Sequence, residues 1–298
     1  MTRRIRIPGL IDVARVDEPE LIRDIAKDPR LDRDFVAAGP LLNRIIAGRV
    51  RRTLHIGGVP LSAVAPRNYP ERAQKQAALE TRLDGVLANG GPAPDKLDVL
   101  AGYVRGERGE DTLGPAVQEA IGRLFAADYR ASAQTFRAAC ILDAAPRTKN
   151  PLRRLVWGIT GAVGRARRLL GRGVADDPAG VHATAIAVHS LVRSLKAMRE
   201  VWSEPGARDR LSTDAAVTRS LRAPETVLRS WSGRAETMLG DVRPGTLAVF
   251  QLDAARTRDP VAHTVFMTES WSRCPAHRWT ASLLGSVWER AQAQGKRK

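Results

Sequence analysis

The chain of 298 residues is 43% hydrophobic and 27% charged, a composition typical of a globular protein that buries a core. Its two cysteines exclude a disulfide framework. With no signal-peptide pattern and no apolar run long enough to cross a membrane, we expect a protein of the reducing cytoplasm. The formal net charge of +16 comes mainly from scattered arginines without stacking aromatics between them, which does not favour nucleic-acid binding.

The N-terminal half is predicted to be mostly helical. A short edge strand precedes a helix that starts near Glu18-Pro19, where an acidic first turn carries Pro just inside it. Apolar residues at helical spacing predict further helices over 71–87, 95–105, 115–127 and 132–144. Cys140 lies in the last of these, and we expect it to be buried and inert.

Residues 152–170 predict one basic amphipathic helix. Its apolar stripe consists of Leu152, Leu155, Val156, Ile159, Val163, Ala166 and Leu170. A stripe beside arginines is compatible with a membrane surface, but such stripes usually pack on the core, and that is the expectation here.

The C-terminal part combines helices with one clear strand. Asp176-Asp177-Pro178 predicts the start of a helix that runs to about Trp202, and a shorter helix is predicted over 214–221. Residues 246–252 predict a strand, and residues 253–258 a short helix. A polar loop then leads to Cys274, and Pro275 is predicted to open an amphipathic final helix.

Cys274 has two interpretations from its surroundings alone. A cysteine just before a helix N-terminus favours the thiolate, a soft metal ligand that serves as an axial ligand of haem iron in some proteins. A lone cysteine is otherwise a small buried hydrophobic residue. No P-loop, GxGxxG, HExxH or GxSxG motif offers a different chemistry.

Four ordered segments make residues 175–292 resemble the C-terminal half of a cytochrome P-450. The segments are Ala179-Gly-Val-His-Ala-Thr184 (the central-helix motif), Arg219-Ser-Leu-Arg222 with the following Ala-Pro-Glu (the Glu-x-x-Arg helix), Arg243 to Pro260 (the Pro-x-Gly-Thr strand and its Ala-x-x-Arg-Asp-Pro continuation), and Arg273-Cys-Pro-Ala-His-Arg-Trp279 (the cysteine signature). The N-terminal 150 residues resemble the family only vaguely.

This resemblance implies a mainly α fold with minor β structure, a truncated P-450-like fold in a single domain over 1–298. Residues 1–174 would form its divergent helical part and residues 175–298 its haem-binding part. The implied cofactor is haem b, with Cys274 as the proximal iron ligand. Arg222, Arg273 and His277 are the implied cofactor-binding residues. His182 and Thr184 are the implied catalytic residues on the distal side.

The departures from the family pattern bear on the chemistry. Arg219 stands where the family has Glu, so the ion pairs around Arg222 are broken or rebuilt, and Glu225 is one candidate partner. His182 and Ala183 replace the acid and the first threonine of the central motif. Proton delivery to reduced oxygen should then be poor, which favours a peroxide as oxidant. Around the cysteine, Met267 replaces the usual Phe and Ser270 the usual Gly, Ser272 stands where the family has an Arg that binds a haem propionate, and Ala276 replaces the Gly after the ligand.

Three classes of function stay open from the sequence. The first is a haem-thiolate enzyme that oxidises or rearranges a small apolar molecule, with an acidic electron-transfer protein as a partner for the basic surface around Arg273 and Arg278. The second is a haem-free protein, derived from a cytochrome P-450, that binds a partner without catalysis. The third, favoured least, is a basic helical nucleic-acid-binding protein.

Overall fold

The structure, a computed structural model, describes residues 3–35, 38–56, 59–61, 65–91, 94–148, 150–259 and 262–295. These residues group into two compact units. Unit 1 comprises residues 1–74 and 223–274, and unit 2 comprises residues 75–222 and 275–298. Each unit contains residues from both sides of the predicted boundary between residues 174 and 175. That the chain forms a single domain stays a prediction.

Unit 1 holds the described strands and four helices. They are β1 (Arg3–Ile7), β2 (Ile11–Val16), α1 (Pro19–Lys27), β3 (Leu31–Asp32), α2 (Leu41–Thr53), β4 (His55–Ile56), β5 (Val59–Pro60), β6 (Val227–Trp231), β7 (Ala235–Thr237), β8 (Gly240–Val242), β9 (Leu247–Phe250), α13 (Leu252–Arg256) and α14 (Ala262–Phe266). Unit 2 holds α3 (Arg72–Ala88, which begins in unit 1), α4 (Pro94–Val104), α5 (Glu110–Gly122), α6 (Ala133–Ala144), α7 (Pro151–Ile159), α8 (Ala162–Gly173), α9 (Pro178–His182), the π-helical segment Ala183–Ala187, α10 (Val188–Ser203), α11 (Ala207–Arg210), α12 (Thr213–Ser220) and α15 (His277–Gly295).

The main sheet of unit 1 has the strand order β1-β2-β9-β6-β3. Only the pairing of β2 with β9 is parallel, and it joins the N-terminal hairpin to the C-terminal strands. A buried polar network fixes this junction. Arg4 donates to both oxygens of Asp12 at 2.8 Å, and Asp12 also accepts from the hydroxyl of Thr246 at 2.9 Å. The Asn43 amide bridges the carbonyl oxygens of Asp12 and Gly245.

Unit 2 is helical, and α10 and α15 bury large side chains in its core. Trp288 and Met198 are fully buried, and the rings of Trp202 and Trp288 meet edge to face with centroids 5.2 Å apart. Among the described residues, no helix is both long and apolar enough to cross a membrane.

The expected fold class, mainly α with minor β, is confirmed, with differences in detail. Gly161, in the left-handed region at φ 61°, divides the helix predicted over 152–170 into α7 and α8. Cys140 is exposed rather than buried, because it faces away from the side of α6 that packs. α15 begins at His277, so Pro275 lies before the helix and does not open it. Strand β6 and the β7–β8 hairpin were not predicted. Pro260, at the end of the Arg243–Pro260 segment, lies outside the described residues.

Candidate functional site

Cys274 ends a tightly folded loop that begins where α14 ends. Met267 turns the chain in the left-handed region at φ 52°, and the amide of Cys274 donates back to the carbonyl oxygen of Phe266 at 2.9 Å. Inside the loop, the Ser270 hydroxyl donates to the Met267 carbonyl oxygen at 2.9 Å and lies 3.2 Å from the Ser272 hydroxyl. These hydrogen bonds close the loop on itself and leave Cys274 half-buried at its end. Serine hydroxyls thus close a loop whose usual glycine is missing.

Three arginines of unit 1, here called the arginine cluster, surround this loop: Arg33, Arg72 and Arg229. Arg229 lies on β6, is only 5% exposed, and donates to the Ser272 hydroxyl at 3.1 Å and to the Leu228 carbonyl oxygen at 2.8 Å. Arg33 donates to the Ser272 carbonyl oxygen at 2.8 Å. The ring of Trp271 has the Arg33 guanidinium 5.5 Å and the Arg72 guanidinium 4.5 Å from its centroid. The cluster therefore holds the loop from the sheet side.

Burial and mutual repulsion lower the pKa values of the arginine cluster. Burial and the charge of Arg72 lower the pKa of Arg229 from 12.5 to about 9, and the carboxylate of Asp32 only partly opposes them. Burial, then Arg229 and Arg72, lower the pKa of Arg33 strongly, against Asp32 and Cys274. Asp32 itself is buried and accepts from the backbone amide of Arg67 at 3.0 Å. The charge of Asp32 acts on all three guanidinium groups, and guanidinium groups held this close together suit an anion that binds them.

The donor set of the loop and the cluster fits a haem. A haem needs an axial donor for the iron, which a cysteine thiolate supplies, and it carries two carboxylates that guanidinium groups bind well. No group of three or more His, Cys, Asp or Glu side chains suited to a metal ion occurs among the described residues. A cavity of about 180 Å³ in unit 1 is lined by Arg33, Arg51, His55 and Tyr69 among others.

His182 and Thr184 lie in unit 2 where the long helix changes its hydrogen-bonding pattern. His182 is the half-buried last residue of α9, and the π-helical segment Ala183–Ala187 follows it. The Thr184 hydroxyl is fully buried and donates to the Gly180 carbonyl oxygen at 2.8 Å. The Thr184 carbonyl oxygen accepts from the Gln118 amide at 3.0 Å. π-Helical turns inside α-helices are frequent at functional sites, which makes this segment a second candidate.

The other sequence-predicted site residues occupy different settings. The side chain of Arg222 donates to the carbonyl oxygens of Arg219 and Leu221 at the end of α12. Arg219, in the place of the family's Glu, pairs with Glu204 at 2.6 Å. Arg273 is exposed beside Cys274 in unit 1, whereas the half-buried His277 opens α15 in unit 2. Arg273 and Cys274 are consecutive residues in unit 1. The roles assigned to all of these site residues stay predictions.

Sequence reasoning missed the whole arginine cluster. Ser272 was noted as standing where an arginine that binds a haem propionate is expected, yet its neighbour Arg229 comes from a strand 43 residues earlier. A signal for Arg229 existed: it interrupts the apolar segment Val227–Trp231, where a charged side chain needs a buried partner. Arg33 and Arg72 carry no comparable signal, because only the tertiary fold brings them to Trp271.

Comparison with known proteins supports the fold. No protein-family model matches the chain, and no curated protein matches it in sequence. Solved cytochrome P-450 structures match along nearly its whole length. A zebrafish cytochrome P-450 solved with abiraterone is 13% identical, with 98% of this chain and 87% of that one covered and a TM-score of 0.58.

Two further matches are P-450 BioI, in complex with an acyl carrier protein ligated to hexadec-9Z-enoic acid, and P-450EX alpha, solved with myristic acid. The first is 13% identical, covers 95% of this chain and 85% of its own, and has a TM-score of 0.58. The second is 12% identical, covers 97% and 82%, and has a TM-score of 0.56. At this level of identity the similarity defines the fold: the chain is a shortened and divergent protein with the cytochrome P-450 fold.

Proposed function

We propose that this chain is a haem-thiolate protein that oxidises or rearranges an apolar molecule. The observation that carries the proposal is the half-buried Cys274 at the end of a loop that the buried Arg229 and the half-buried Arg33 both hold through Ser272. A thiolate that binds iron and guanidinium groups that bind carboxylates are the two kinds of donor that a haem needs.

Each part of the site has a task in this proposal. Cys274 would bind the iron, and the arginine cluster would hold the carboxylates of the porphyrin, with Arg229 and Arg33 also fixing the loop through Ser272. When bound, a haem with a thiolate ligand supplies the oxidising chemistry. The buried serine hydroxyls keep the loop closed around Cys274 without a glycine. Arg273, Arg222 and His277 keep the roles that the family resemblance implies.

His182 and Thr184 would handle protons in unit 2. Thr184 has its hydroxyl hydrogen committed to the Gly180 carbonyl oxygen, so it retains acceptor capacity and does not readily donate. His182 stands where the family has an acid, and an imidazole both accepts and donates a proton near neutral pH. Within this pair only His182 is left to donate a proton, because the Thr184 hydroxyl hydrogen is engaged, and this supports a peroxide, which needs fewer protons delivered, over dioxygen with an electron donor.

Two fold neighbours support a substrate class that is open to a direct test. They were solved with a fatty acid or a fatty-acyl carrier protein. We infer that a medium or long acyl chain is the first apolar substrate to test here. An acidic redox partner has weaker support, because Arg278 of the predicted basic pair is engaged by Asp84 at 2.6 Å.

The chain's two cysteines provide a matched test. Protein expressed with added haem precursor should purify with bound haem, and Cys274→Ser should lose either the haem or the spectrum of its ferrous–CO form that thiolate ligation produces. Cys140→Ser removes the exposed cysteine on α6 and should leave both unchanged. Adding hydrogen peroxide and a fatty acid to the haem-loaded protein should yield oxidised fatty acid without an electron-transfer protein.

The haem-free alternative predicts a different outcome of the same test. If neither the unaltered protein nor Cys140→Ser binds haem, and Cys274→Ser unfolds at the same temperature as they do, the thiol has no ligand role. The chain would then be a non-catalytic partner-binding protein with the cytochrome P-450 fold.

A further inference from the structure

Helix α7 presents an apolar face to solvent instead of burying it. Leu152, Leu155, Val156 and Ile159 recur at the spacing of one helix face, and they are 71%, 59%, 55% and 79% exposed. None of the nine residues of α7 is buried, and Trp157, half-buried, is the most covered of them. The prediction that this stripe packs on the core is therefore wrong for α7, although Ala166 and Leu170 of α8 are buried.

The exposed stripe lies in the most basic stretch of the chain. Between Ala144 and Ala175 the sequence has eight basic residues and no acidic one, which is half of the formal net charge of +16. Arg153 and Arg154 alternate with the stripe on α7, and Arg165 and Arg168 are exposed on α8. The guanidinium of Arg153 lies 4.6 Å from the centroid of the Trp157 ring. Apolar and cationic groups thus share one surface.

We propose that α7 and the adjoining arginines of α8 form a docking surface for an anionic lipid bilayer. A short helix with aliphatic side chains on one face and arginines on the other lies in the plane of a membrane interface. Anionic headgroups meet the arginines, and the aliphatic side chains leave water for the acyl boundary. The interaction does not depend on haem binding, so its test is independent of the proposed function.

Other occupants fit the surface less well. A second copy of the chain would bring two strongly basic surfaces together, which costs free energy through like-charge repulsion. A nucleic acid would satisfy the arginines but leave four exposed aliphatic side chains without a partner. A protein partner needs a preformed apolar groove for an exposed helix face, whereas a bilayer adapts to the helix.

Vesicle co-sedimentation of the full chain tests the proposal. The probes are vesicles of phosphatidylcholine alone and of phosphatidylcholine with about one third phosphatidylglycerol. We expect binding to the anionic vesicles that falls as salt is raised. The double variant Leu152→Ser/Ile159→Ser should weaken binding about a hundredfold through lost apolar burial. The double variant Arg153→Gln/Arg168→Gln should weaken it about thirtyfold, since each basic residue contributes about fivefold.

Matched control variants distinguish binding through this surface from non-specific binding through other exposed apolar or charged residues. Leu41→Ser/Ile45→Ser removes two exposed aliphatic residues of another helix, α2, and Arg208→Gln/Arg210→Gln removes two exposed charges of α11. Both should bind vesicles like the unaltered chain. The altered side chains are exposed, so unfolding temperatures should stay within a degree or two.

Three results would overturn the proposal. One is equal binding, or none, to both kinds of vesicle. Another is loss of binding in the α2 control with none in the α7 variant. The third is a dimer, or a complex with a purified acidic acyl carrier protein, that the α7 variant abolishes while vesicles are not bound.

Discussion

Arg229 and Arg4 are two arginines of the same sheet whose replacement should change stability in opposite directions. Arg4 is matched by the buried carboxylate of Asp12, whose hydrogen bond raises the pKa of Arg4. Arg229 lacks such a match, and burial lowers its pKa from 12.5 to about 9. That difference corresponds to about 5 kcal/mol of unfavourable free energy for the charged side chain in the folded protein. Since the guanidinium is charged at neutral pH, this cost is present there and is relieved only above about pH 9.

Replacing Arg229 by Met removes the buried charge and keeps most of the unbranched stem. The two hydrogen bonds lost from the guanidinium cost about 3 kcal/mol together, so the net gain in free energy of unfolding is about 2 kcal/mol. Haem affinity should fall ten- to a hundredfold, because a charge-assisted bond to a carboxylate is lost. Thermal unfolding of the haem-free protein and a haem titration measure the two effects.

Arg4→Met is the control on the same sheet. It should lower the free energy of unfolding by about 3 kcal/mol or more, because Asp12 stays buried without its guanidinium partner. If Arg229→Met destabilises the protein as much as Arg4→Met does, the role of the arginine cluster is to hold the loop, and its buried charge does not indicate an anion site.

Three further predictions concern stability. Gly245→Ala should lower the free energy of unfolding by about 3 kcal/mol or more, because φ is +82° and the new Cβ would clash with the backbone of an adjacent segment. Gly90→Ala, at φ +92° in open space, should lower it by about 1 kcal/mol. Urea unfolding of both variants measures the two losses. Burial alone would raise the pKa of Glu119, but Lys96 and the other partners of Glu119 lower this pKa overall. The contribution of Glu119 to the free energy of unfolding is therefore complete above about pH 4.5 and is lost as the pH falls through the lowered pKa. Glu119→Gln should therefore lower stability at neutral pH and flatten the loss in acid, and an unchanged acid profile would contradict this. Thr184→Val should cost about 1–2 kcal/mol in denaturant unfolding, because the buried hydrogen bond from the Thr184 hydroxyl to the Gly180 carbonyl oxygen is lost; an unchanged free energy of unfolding would mean that this hydrogen bond does not stabilise the protein.

The sequence predicted the helices best where apolar spacing was long and regular. The predicted helices over 71–87 and 132–144 differ from α3 and α6 by a residue at each end at most. The strands β3, β6, β7 and β8 could not be predicted, because short strands carry little periodicity and gain their stability from pairing with other segments. The prediction for the apolar stripe of α7 was wrong for a different reason: periodicity identifies an apolar face of a helix but not what covers that face.

The candidate site was predictable at Cys274 and not in its surroundings. The order of the family-like segments identified the cysteine, since a ligand and its flanking residues lie together in the sequence. The arginine cluster comes from β6, the start of α3 and the residue after β3, and only their common approach to Trp271 and Ser272 brings it together. Neighbours of a site that come from distant segments leave no local pattern.

The most direct test of the haem proposal is the absorbance spectrum of the purified protein in its ferrous–CO form, after expression with added haem precursor. We predict bound haem and the Soret band that thiolate ligation produces, present in Cys140→Ser and absent in Cys274→Ser. A protein that folds and remains soluble but shows no haem absorbance, or an unchanged Soret band in Cys274→Ser, would contradict the proposal.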